Sequence, residues 1–455
     1  MTKAKQKFNL ISLGCARNLV DSEVMAGLLL QSNYEVVREP SEADIVLINT
    51  CGFIDAAKAE SIDTIMEVSR LKQEGRLRKL VVAGCLSQRY PQELATELPE
   101  VDLFIGTGEV PRIVDILREH ETNQSRRQYI GVPEYLYDHV TPRIRTTPSY
   151  TAFLKVSEGC DHKCAFCIIP KLRGPHRSRS IDSIVKETAL LAQDGVKELN
   201  LIAQDLTAYG RDRKDGTNLY GLLKELVRVP DIVWIRLLYA YPNFLEAPLL
   251  ELMSESKTIC KYIDIPFQHV SARILRNMRR GNSGSAVRAA VEKLRASIPG
   301  LTLRTSLIVG FPGETEEDFE ALLDFVEETQ FERLGVFKYS IEEGTAAASL
   351  DKHISEDEKE RRWQEVMDLQ ADISREKNEA LIGSNQHVMI DGIDDSGQSM
   401  GRTQAHAPEV DGVVYLHNAA TSATMISLRP GELVDVKITE ALDYDLIGEI
   451  QHVQI

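Results

Sequence analysis

Three cysteines crowded into eight residues are the side chains of this sequence best suited to chemistry. They have the spacing CxxxCxxC within the stretch Glu158–Arg179, and Phe166 precedes the last thiol; this loop triplet is Cys160, Cys164 and Cys167. Thiolate is the ligand that iron–sulfur clusters select, so the three can hold three corners of a cubane cluster. Because no fourth cysteine lies nearby, one iron would stay open to a small molecule.

A structural zinc site is the alternative for the same thiols. Such sites use four ligands, commonly two cysteine pairs or one cysteine pair with paired histidines. His162 or His176 could supply the missing ligand, although neither has the usual offset. Three unliganded cysteines in one irregular loop are a further alternative. The spacing favours the iron–sulfur interpretation over both.

A second set of three cysteines is spread over the N-terminal region. This N-terminal triplet is Cys15, Cys51 and Cys85, each directly beyond a predicted strand and beside a glycine. Ligands gather at the carboxyl ends of strands in open parallel sheets, so these thiols are expected to meet at one edge. They predict a second cluster, whose open iron could hold a sulfur species. Separate buried cysteines are the alternative, since free cysteine is common in protein cores.

Hydrophobic patterns predict the elements that position these thiols. Apolar runs alternating with amphipathic helical patterns predict a parallel α/β sheet domain over residues 1–140. A polar stretch with two prolines at 138–150 is typical of a linker. Six βα repeats within 151–382, followed by a long charged helix, predict a partial (β/α)6 barrel, since a full barrel has eight. Short β-rich runs over 383–455 indicate a small barrel of the oligonucleotide-binding type.

The active site of such a barrel is expected at the C-terminal ends of its strands, where the loop triplet already lies. Gln204, Gly310 and Glu314 also follow predicted strands and are candidates for cofactor binding. A glycine loop allows a cofactor to approach the backbone closely, although most such glycines only form turns.

A basic run follows the loop triplet and includes Arg173, Arg177 and Arg179. Guanidinium groups there could clamp the carboxylate of a cofactor, an acidic substrate side chain or an RNA phosphate. A solvated charged face is the alternative, and it is the more usual role of a charge run. The position beside the loop triplet makes these arginines candidates for substrate contact.

Composition limits the class of protein. The 455 residues include 69 acidic and 53 basic ones, a net charge of −16 that disfavours general nucleic-acid binding and suits a basic partner. No apolar run of about 18 residues and no signal-peptide pattern is found, which argues against membrane association. Seven cysteines without an export signal indicate metal or redox ligands in a reducing cytoplasm.

The predicted C-terminal barrel is the most acidic part of the chain. Residues 383–455 contain eleven acidic and three basic side chains, so half of the net charge lies in the last sixth of the sequence. Such a barrel would repel phosphate, because RNA affinity depends on basic residues that neutralise the backbone. It would attract a basic protein. Acidic surface that only keeps the protein soluble is the alternative.

The three regions together resemble the methylthiotransferase family of radical S-adenosylmethionine enzymes over nearly the whole chain. Its branch that modifies small-subunit ribosomal protein S-twelve is the more similar, through LGCARNLVDSE, SEGCDHKCAFCIIPKLRGPHRSR, LLYAYP, YIDIPFQHVS and APEVDG. The tRNA branch would show a GCQMN-like first cysteine and a serine–glycine pair in place of Gln268-His269. One departure from the ribosomal branch is His406, where an acidic residue is typical.

The resemblance implies that both triplets hold 4Fe-4S clusters. One S-adenosylmethionine would methylate a sulfur at the N-terminal triplet. Another, chelated at the loop triplet, would supply the 5′-deoxyadenosyl radical that abstracts hydrogen. Phe166, Gln204, Gly310 and Glu314 are expected near that cofactor. Protein, cluster and cofactor would together attach a methylthio group to the β-carbon of an aspartate.

The substrate implied by the resemblance is protein S-twelve, free or in the small ribosomal subunit. A tRNA adenosine methylthiotransferase is the alternative. A flavodoxin-like electron donor and a sulfur donor are the further partners expected, and any contact with RNA would be secondary. The C-terminal region would be a TRAM barrel that docks the substrate.

Overall fold

Short parallel strands form the N-terminal sheet of the computed structural model, which describes residues 5–242, 245–281, 283–418 and 428–453. The strands are β1 (Gln6–Ser12), β2 (Tyr34–Val36), β3 (Ile45–Thr50), β4 (Lys79–Gly84), β5 (Leu103–Ile105) and β6 (Gln128–Tyr129). Their order, β2-β1-β3-β4-β5-β6, with every pair parallel, confirms the predicted sheet. The edge strands β2 and β6 are too short to leave a sequence pattern. The helices between them are α1 (Ala16–Gln31), α2 (Asp55–Gln73), α3 (Cys85–Arg89), α4 (Pro91–Glu97) and α5 (Ile113–Thr122).

A second parallel sheet forms the middle of the molecule. Its strands are β7 (Thr151–Lys155), β10 (Glu198–Ile202), β11 (Trp234–Leu237), β12 (Ile259–Asp264), β13 (Thr302–Val309) and β14 (Arg333–Lys338). The order β14-β13-β12-β11-β10-β7 confirms the predicted partial barrel, since β14 and β7 form the two edges of the sheet. The central strands are buried almost throughout, as expected of strands covered on both faces.

Helices and one small hairpin complete this region. Strands β8 (Ser157–Glu158) and β9 (Arg177–Ser178) pair antiparallel on either side of the loop triplet. The helices are α6 (Ile169–Arg173), α7 (Ile181–Gln193), α8 (Leu219–Leu226), α9 (Ala247–Glu255), α10 (Ala272–Asn277), α11 (Gly284–Ser297), α12 (Glu316–Thr329) and α13 (Glu356–Glu379). Side chains of Ser180, Thr315 and Ser355 cap the helices α7, α12 and α13, which fixes where each begins.

A closed five-stranded barrel forms the C-terminal region and confirms the predicted β-barrel. Its strands are β15 (Asn385–Ile393), β16 (Ser399–Arg402), β17 (Val414–Asn418), β18 (Leu433–Ala441) and β19 (Leu446–Val453). The predicted β-rich run at 425–430 begins with residues that lie outside the described ranges. No helix within those ranges has the length and apolar character needed to cross a membrane.

The three regions pack against one another. The predicted linker is anchored by the buried side chain of Arg143, which pairs with Glu23 of α1 at 2.7 Å and with Glu187 of α7 at 2.9 Å. Between the middle sheet and the barrel, buried Glu198 meets Arg236 at 3.0 Å and Arg402 at 2.8 Å. Ion pairs with little solvent access therefore fix the relative positions of the regions.

Candidate functional site

The N-terminal triplet comes together at the carboxyl edge of the first sheet, as the sequence predicted. Cys15 directly precedes α1, Cys51 follows β3, and Cys85 is the first residue of α3, after β4. A Cβ atom added at Gly14, whose φ is +87°, would lie 2.8 Å from the Cβ of Cys51. The close approach of these two loops therefore requires a glycine at this position.

Charges around the N-terminal triplet act on all three thiols. Burial, together with the neighbouring thiols of Cys85 and Cys15, raises the pKa of Cys51 to about 11. Burial also raises the pKa of Cys85. It acts on Cys15 in the same direction, but the guanidinium groups of Arg17 and Arg173 outweigh it and the pKa of Cys15 is lowered. Because burial favours the protonated thiols of Cys51 and Cys85, metal binding there would have to release their protons.

The loop triplet lies between β8 and α6. Burial raises the pKa of Cys160 to about 11 and that of Cys167 to about 12, and the neighbouring thiols add to both shifts. Nη1 of Arg280 lies 3.7 Å from the sulfur of Cys164. The three thiols therefore lie close enough to influence one another, with a cation beside them.

The donor set fits a cluster better than a zinc ion. Within the described ranges, no group of three or more Cys, His, Asp or Glu is spaced to hold a single metal ion. A cubane places its thiolates on different irons, so its ligands are farther apart than those of one ion. The histidines proposed as a fourth ligand have other contacts: His162 with Asp205 at 2.6 Å, and His176 with Ser178 at 3.0 Å.

A cavity of about 200 Å³ lies above the loop triplet. Its walls include Arg17 and Phe53 from the N-terminal region. Gln204, Tyr239, Tyr241 and Gln268 contribute from segments that follow strands of the middle sheet, and Arg280 from the segment after α10. Arg17 is two residues beyond Cys15, and Phe53 is two beyond Cys51. Residues adjoining the N-terminal triplet therefore form part of the chamber at the loop triplet.

Two cavity residues have strained backbones. Tyr239 has a φ of +63° and Gln268 a φ of +71°, in the left-handed region that residues other than glycine seldom adopt. Backbone strain of this kind is concentrated at functional sites, where the surrounding structure enforces it.

A larger cavity, about 720 Å³, lies at the amino ends of the N-terminal strands beside Arg78 and Asp102. The thiols, rather than volume, identify the site.

A buried polar network connects the two triplets. Nζ of Lys155 lies 2.6 Å from Asp21 of α1 and 2.7 Å from Glu158. Gln204 donates a hydrogen bond to Glu158, and Arg173 pairs with Asp21 and Glu158. Burial would raise the pKa of Glu158, but Lys155 and Arg173 lower it to about 2.

The predicted cofactor residues divide into two groups. Phe166 and Gln204 line the cavity. Gly310 and Glu314 are not among its lining residues: Glu314 is buried 2.7 Å from Arg362 of α13, and a Cβ at Gly310 would collide with Lys359 of the same helix. The second pair therefore serves to attach α13 to the middle region.

The three arginines predicted to contact substrate are engaged within the protein. Arg179 is buried, pairs with Glu187 at 2.6 Å and donates to the carbonyl of Lys155 at 2.9 Å. Arg177 donates to backbone carbonyls, including that of Arg173 at 3.2 Å. These contacts favour positioning roles over direct contact with substrate.

Several cavity residues were not predicted from the sequence. Arg17 donates to the carbonyl of Ala203 at 2.7 Å, and Arg280 lies 4.2 Å from the ring centroid of Tyr241. The two cavity tyrosines belong to the motif LLYAYP, and its position at the end of a predicted strand is a usable signal. No local pattern marks Arg17 or Arg280, because their neighbours are distant in sequence.

Comparison with known proteins identifies three family matches: Uncharacterized protein family UPF0004 over residues 7–106, the Radical SAM superfamily over 154–326 and the TRAM domain over 382–450. Among solved structures, a radical S-adenosylmethionine methyltransferase, TsrM, from Kitasatospora setae shares the fold, with TM-score 0.53, 16% identity and 73% of each chain covered. The cobalamin-dependent S-adenosylmethionine radical enzyme OxsB does so with TM-score 0.51 and 13% identity, over 81% of this chain and 56% of that one.

Similarity in sequence is much higher to proteins named ribosomal protein uS12 methylthiotransferase RimO. The one from Pelobacter propionicus is 49% identical over 98% of both chains. Those from Geotalea uraniireducens, 49% identical over 99% of both chains, and Geobacter sulfurreducens, 47% identical over 99% of this chain and 100% of that one, are similar to the same degree. The chain therefore belongs to the RimO family of radical S-adenosylmethionine methylthiotransferases.

Proposed function

We propose that this protein attaches a methylthio group to the β-carbon of an aspartate of ribosomal protein uS12, using a 4Fe-4S cluster at each triplet. The observation that carries the proposal is the shared chamber: Arg17 and Phe53, which adjoin the N-terminal triplet, line the cavity above the loop triplet. A carbon held there would lie within reach of both sites, so sulfur capture becomes an intramolecular event.

When bound, the two clusters and S-adenosylmethionine would supply the radical and sulfur-transfer chemistry. The chain's own residues hold and orient these groups. Cys160, Cys164 and Cys167, which line the cavity, would hold one of the clusters there. The rings of His162 and Tyr241, which both line the cavity, are stacked with centroids 4.1 Å apart, and this contact orients the His162 ring beside the thiols.

Other residues keep the chamber dry and charged. Phe53 and Phe166 contribute apolar surface beside the thiols, and this excludes water that would quench a reactive intermediate. Arg17 and Arg280 supply positive charge to the cavity lining, from the N-terminal and middle regions. An acidic substrate side chain would be attracted to such a chamber.

We assign three modules to this reaction: residues 1–140 carry the sulfur site, 151–382 the radical site, and 383–455 dock the substrate. The C-terminal module contains eleven acidic and three basic residues, which favours a basic ribosomal protein over RNA. The reaction would take place in the cytoplasm, with a flavodoxin-like reductant and a separate sulfur donor. The protein uS12 could be met free or in the small subunit.

The experiment is a choice between substrates. Anaerobically reconstituted enzyme is incubated in parallel with purified uS12, small ribosomal subunits and tRNA, and each product is analysed by mass spectrometry. The proposal expects uS12 to gain the mass of one methylthio group on an aspartate, with tRNA unchanged. Methylthiolated tRNA together with unmodified uS12 would reject the proposal.

A further inference from the structure

Arg173 lies in the middle region but reaches the N-terminal triplet. It is the last residue of α6, six residues beyond Cys167, and its side chain is buried. Its Nη2 atom lies 3.5 Å from the sulfur of Cys85 and also donates to Oδ1 of Asn18. A residue that follows the loop triplet in sequence thus contacts a thiol of the N-terminal triplet.

Asn18 connects this arginine to the loops that carry the other thiols. Its amide nitrogen donates to the carbonyl of Leu13, two residues before Cys15, and to that of Thr50, next to Cys51, each at 3.0 Å. Its Oδ1 atom lies 3.6 Å from the sulfur of Cys85. Through Asn18, the Arg173 side chain is therefore linked to all three thiol-bearing loops.

The two ends of the guanidinium serve different partners. Nη1 faces Asp21 and Glu158, the carboxylates that Lys155 also contacts. Two buried carboxylates are balanced there by two cations, so this end fixes Arg173 in place. The planar fork directs the other end at the Cys85 sulfur and Asn18, an arrangement that the single ammonium of lysine cannot reproduce.

We propose that Arg173 is a positioning residue of the N-terminal cluster, across the interface between the two regions. The hydrogen bond that Arg173 donates to the Cys85 thiolate would help to retain the cluster. It would also raise the reduction potential of the cluster, because hydrogen bonds to sulfur and nearby positive charge favour the reduced state. This inference rests on the proposed function, since it requires a cluster at Cys15, Cys51 and Cys85. It also means that the N-terminal site is complete only when both regions are packed together.

The test isolates the N-terminal cluster in the full-length chain. A parent carrying Cys160→Ala, Cys164→Ala and Cys167→Ala is reconstituted anaerobically and compared with versions that add Arg173→Gln or Arg173→Lys. The matched control is Lys171→Gln, which removes a positive charge from an exposed side chain of the same helix. The measurements are iron and sulfide per chain, the rate of iron loss to a chelator, and the midpoint potential from redox titration followed by electron paramagnetic resonance.

We expect Arg173→Gln to lose iron about tenfold faster or more, as for other outer partners of metal ligands, and to have a more negative midpoint potential. Arg173→Lys should change the rate of iron loss and the midpoint potential in the same directions but by less. Lys171→Gln should have the rate and the potential of the parent. Circular dichroism establishes that each variant is folded. If Arg173→Gln does not fold, Arg173→Lys decides, because it keeps the charge that balances Asp21 and Glu158.

Two failures are distinguishable. In the first, the parent binds one cluster, but the folded Arg173 variants lose iron at the parent's rate and have the parent's midpoint potential. This result would overturn only the role of Arg173. A parent that binds no cluster would reject the two-cluster function and the role of Arg173 with it.

Discussion

The guanidinium carbon of Arg17 lies 4.3 Å from the ring centroid of Tyr239. Arg17 follows Cys15 by two residues, and Tyr239 lies two residues beyond the end of β11 in the middle sheet, so this contact joins the two halves of the chamber. The positive charge of Arg17 also lowers the pKa of the Cys15 thiol. The contact therefore sets how the N-terminal triplet faces the cavity above the loop triplet.

Replacing Arg17 should separate the two halves of the reaction. In Arg17→Gln the cation–π contact and the charge beside Cys15 are lost, so we expect methylthio transfer to uS12 to fall by about a hundredfold, as for other small misplacements of reacting groups. Cleavage of S-adenosylmethionine should stay within a factor of about two, since the loop triplet is intact. Chromatography of 5′-deoxyadenosine and mass spectrometry of uS12 measure the two. Arg76→Gln, an exposed arginine of the same region, is the control, and equal loss of both activities would contradict this role.

The ion pairs at Glu198 predict how stability depends on pH. Burial alone would raise the pKa of Glu198, but Arg402 and Arg236 lower it to about 2, below the usual value of 4.5 for a glutamate. A carboxylate with a lowered pKa stabilises the folded state above the unfolded value and loses that contribution as pH falls. The stabilisation should therefore be complete above pH 4.5 and decline between pH 4.5 and about 2.

Glu198→Gln tests this interface. Because the variant leaves two buried arginines without their carboxylate, we expect a loss of about 3–5 kcal/mol at neutral pH. The difference between variant and wild type should narrow below pH 4.5. Thermal unfolding of the apoprotein, followed by circular dichroism at several pH values, measures it. The exposed Glu440→Gln serves as control, and a difference independent of pH would count against the carboxylate as the cause.

His406 predicts a second, separate pH effect. Its ring is buried, Nδ1 contacts Thr403 at 2.8 Å, and Nε2 has no hydrogen-bond partner among the residues that the structure describes. Burial and the charges of Arg333, Arg236 and Arg402 lower its pKa well below 6.5. The unfolded state then takes up a proton that the folded state refuses, so stability should fall as pH drops below 6.5. His406→Asn should remove that part of the decline in melting temperature, and an unchanged decline would refute the assignment.

The acidic barrel predicts a salt-sensitive interaction with substrate. Binding of uS12 should weaken as ionic strength rises, because exposed charges are screened. The double change Asp395→Lys and Glu440→Lys should weaken binding several-fold at low salt. The same charge change at the exposed Asp63 and Glu67 of α2 should have a smaller effect. Titration of labelled uS12 by fluorescence anisotropy compares them, and equal effects at both places would assign the attraction to net charge alone.

Local patterns explain which parts of this protein could be predicted from sequence. Each N-terminal thiol follows a short apolar run, and the helical patterns between these runs indicate parallel strands whose ends meet at one edge. The contacts of Arg17 and Arg173 join segments far apart in the chain, and no periodicity records them. The stretch at 138–150 was interpreted as a linker because its prolines and charges resemble solvated sequence, yet Arg143 is buried between two carboxylates. Glu314 follows a strand, as a residue that binds a cofactor would, but its carboxylate forms an ion pair with Arg362 of the later helix α13.

The most direct test of two triplets with separate tasks in one chamber compares Cys164→Ala with Cys51→Ala. Both variants are reconstituted and reduced with uS12 and S-adenosylmethionine, and 5′-deoxyadenosine and modified uS12 are quantified in the same reaction. We predict that Cys164→Ala forms neither product and that Cys51→Ala forms 5′-deoxyadenosine without methylthiolated uS12. Equal loss of 5′-deoxyadenosine in both variants, or methylthiolation by Cys51→Ala, would contradict the account.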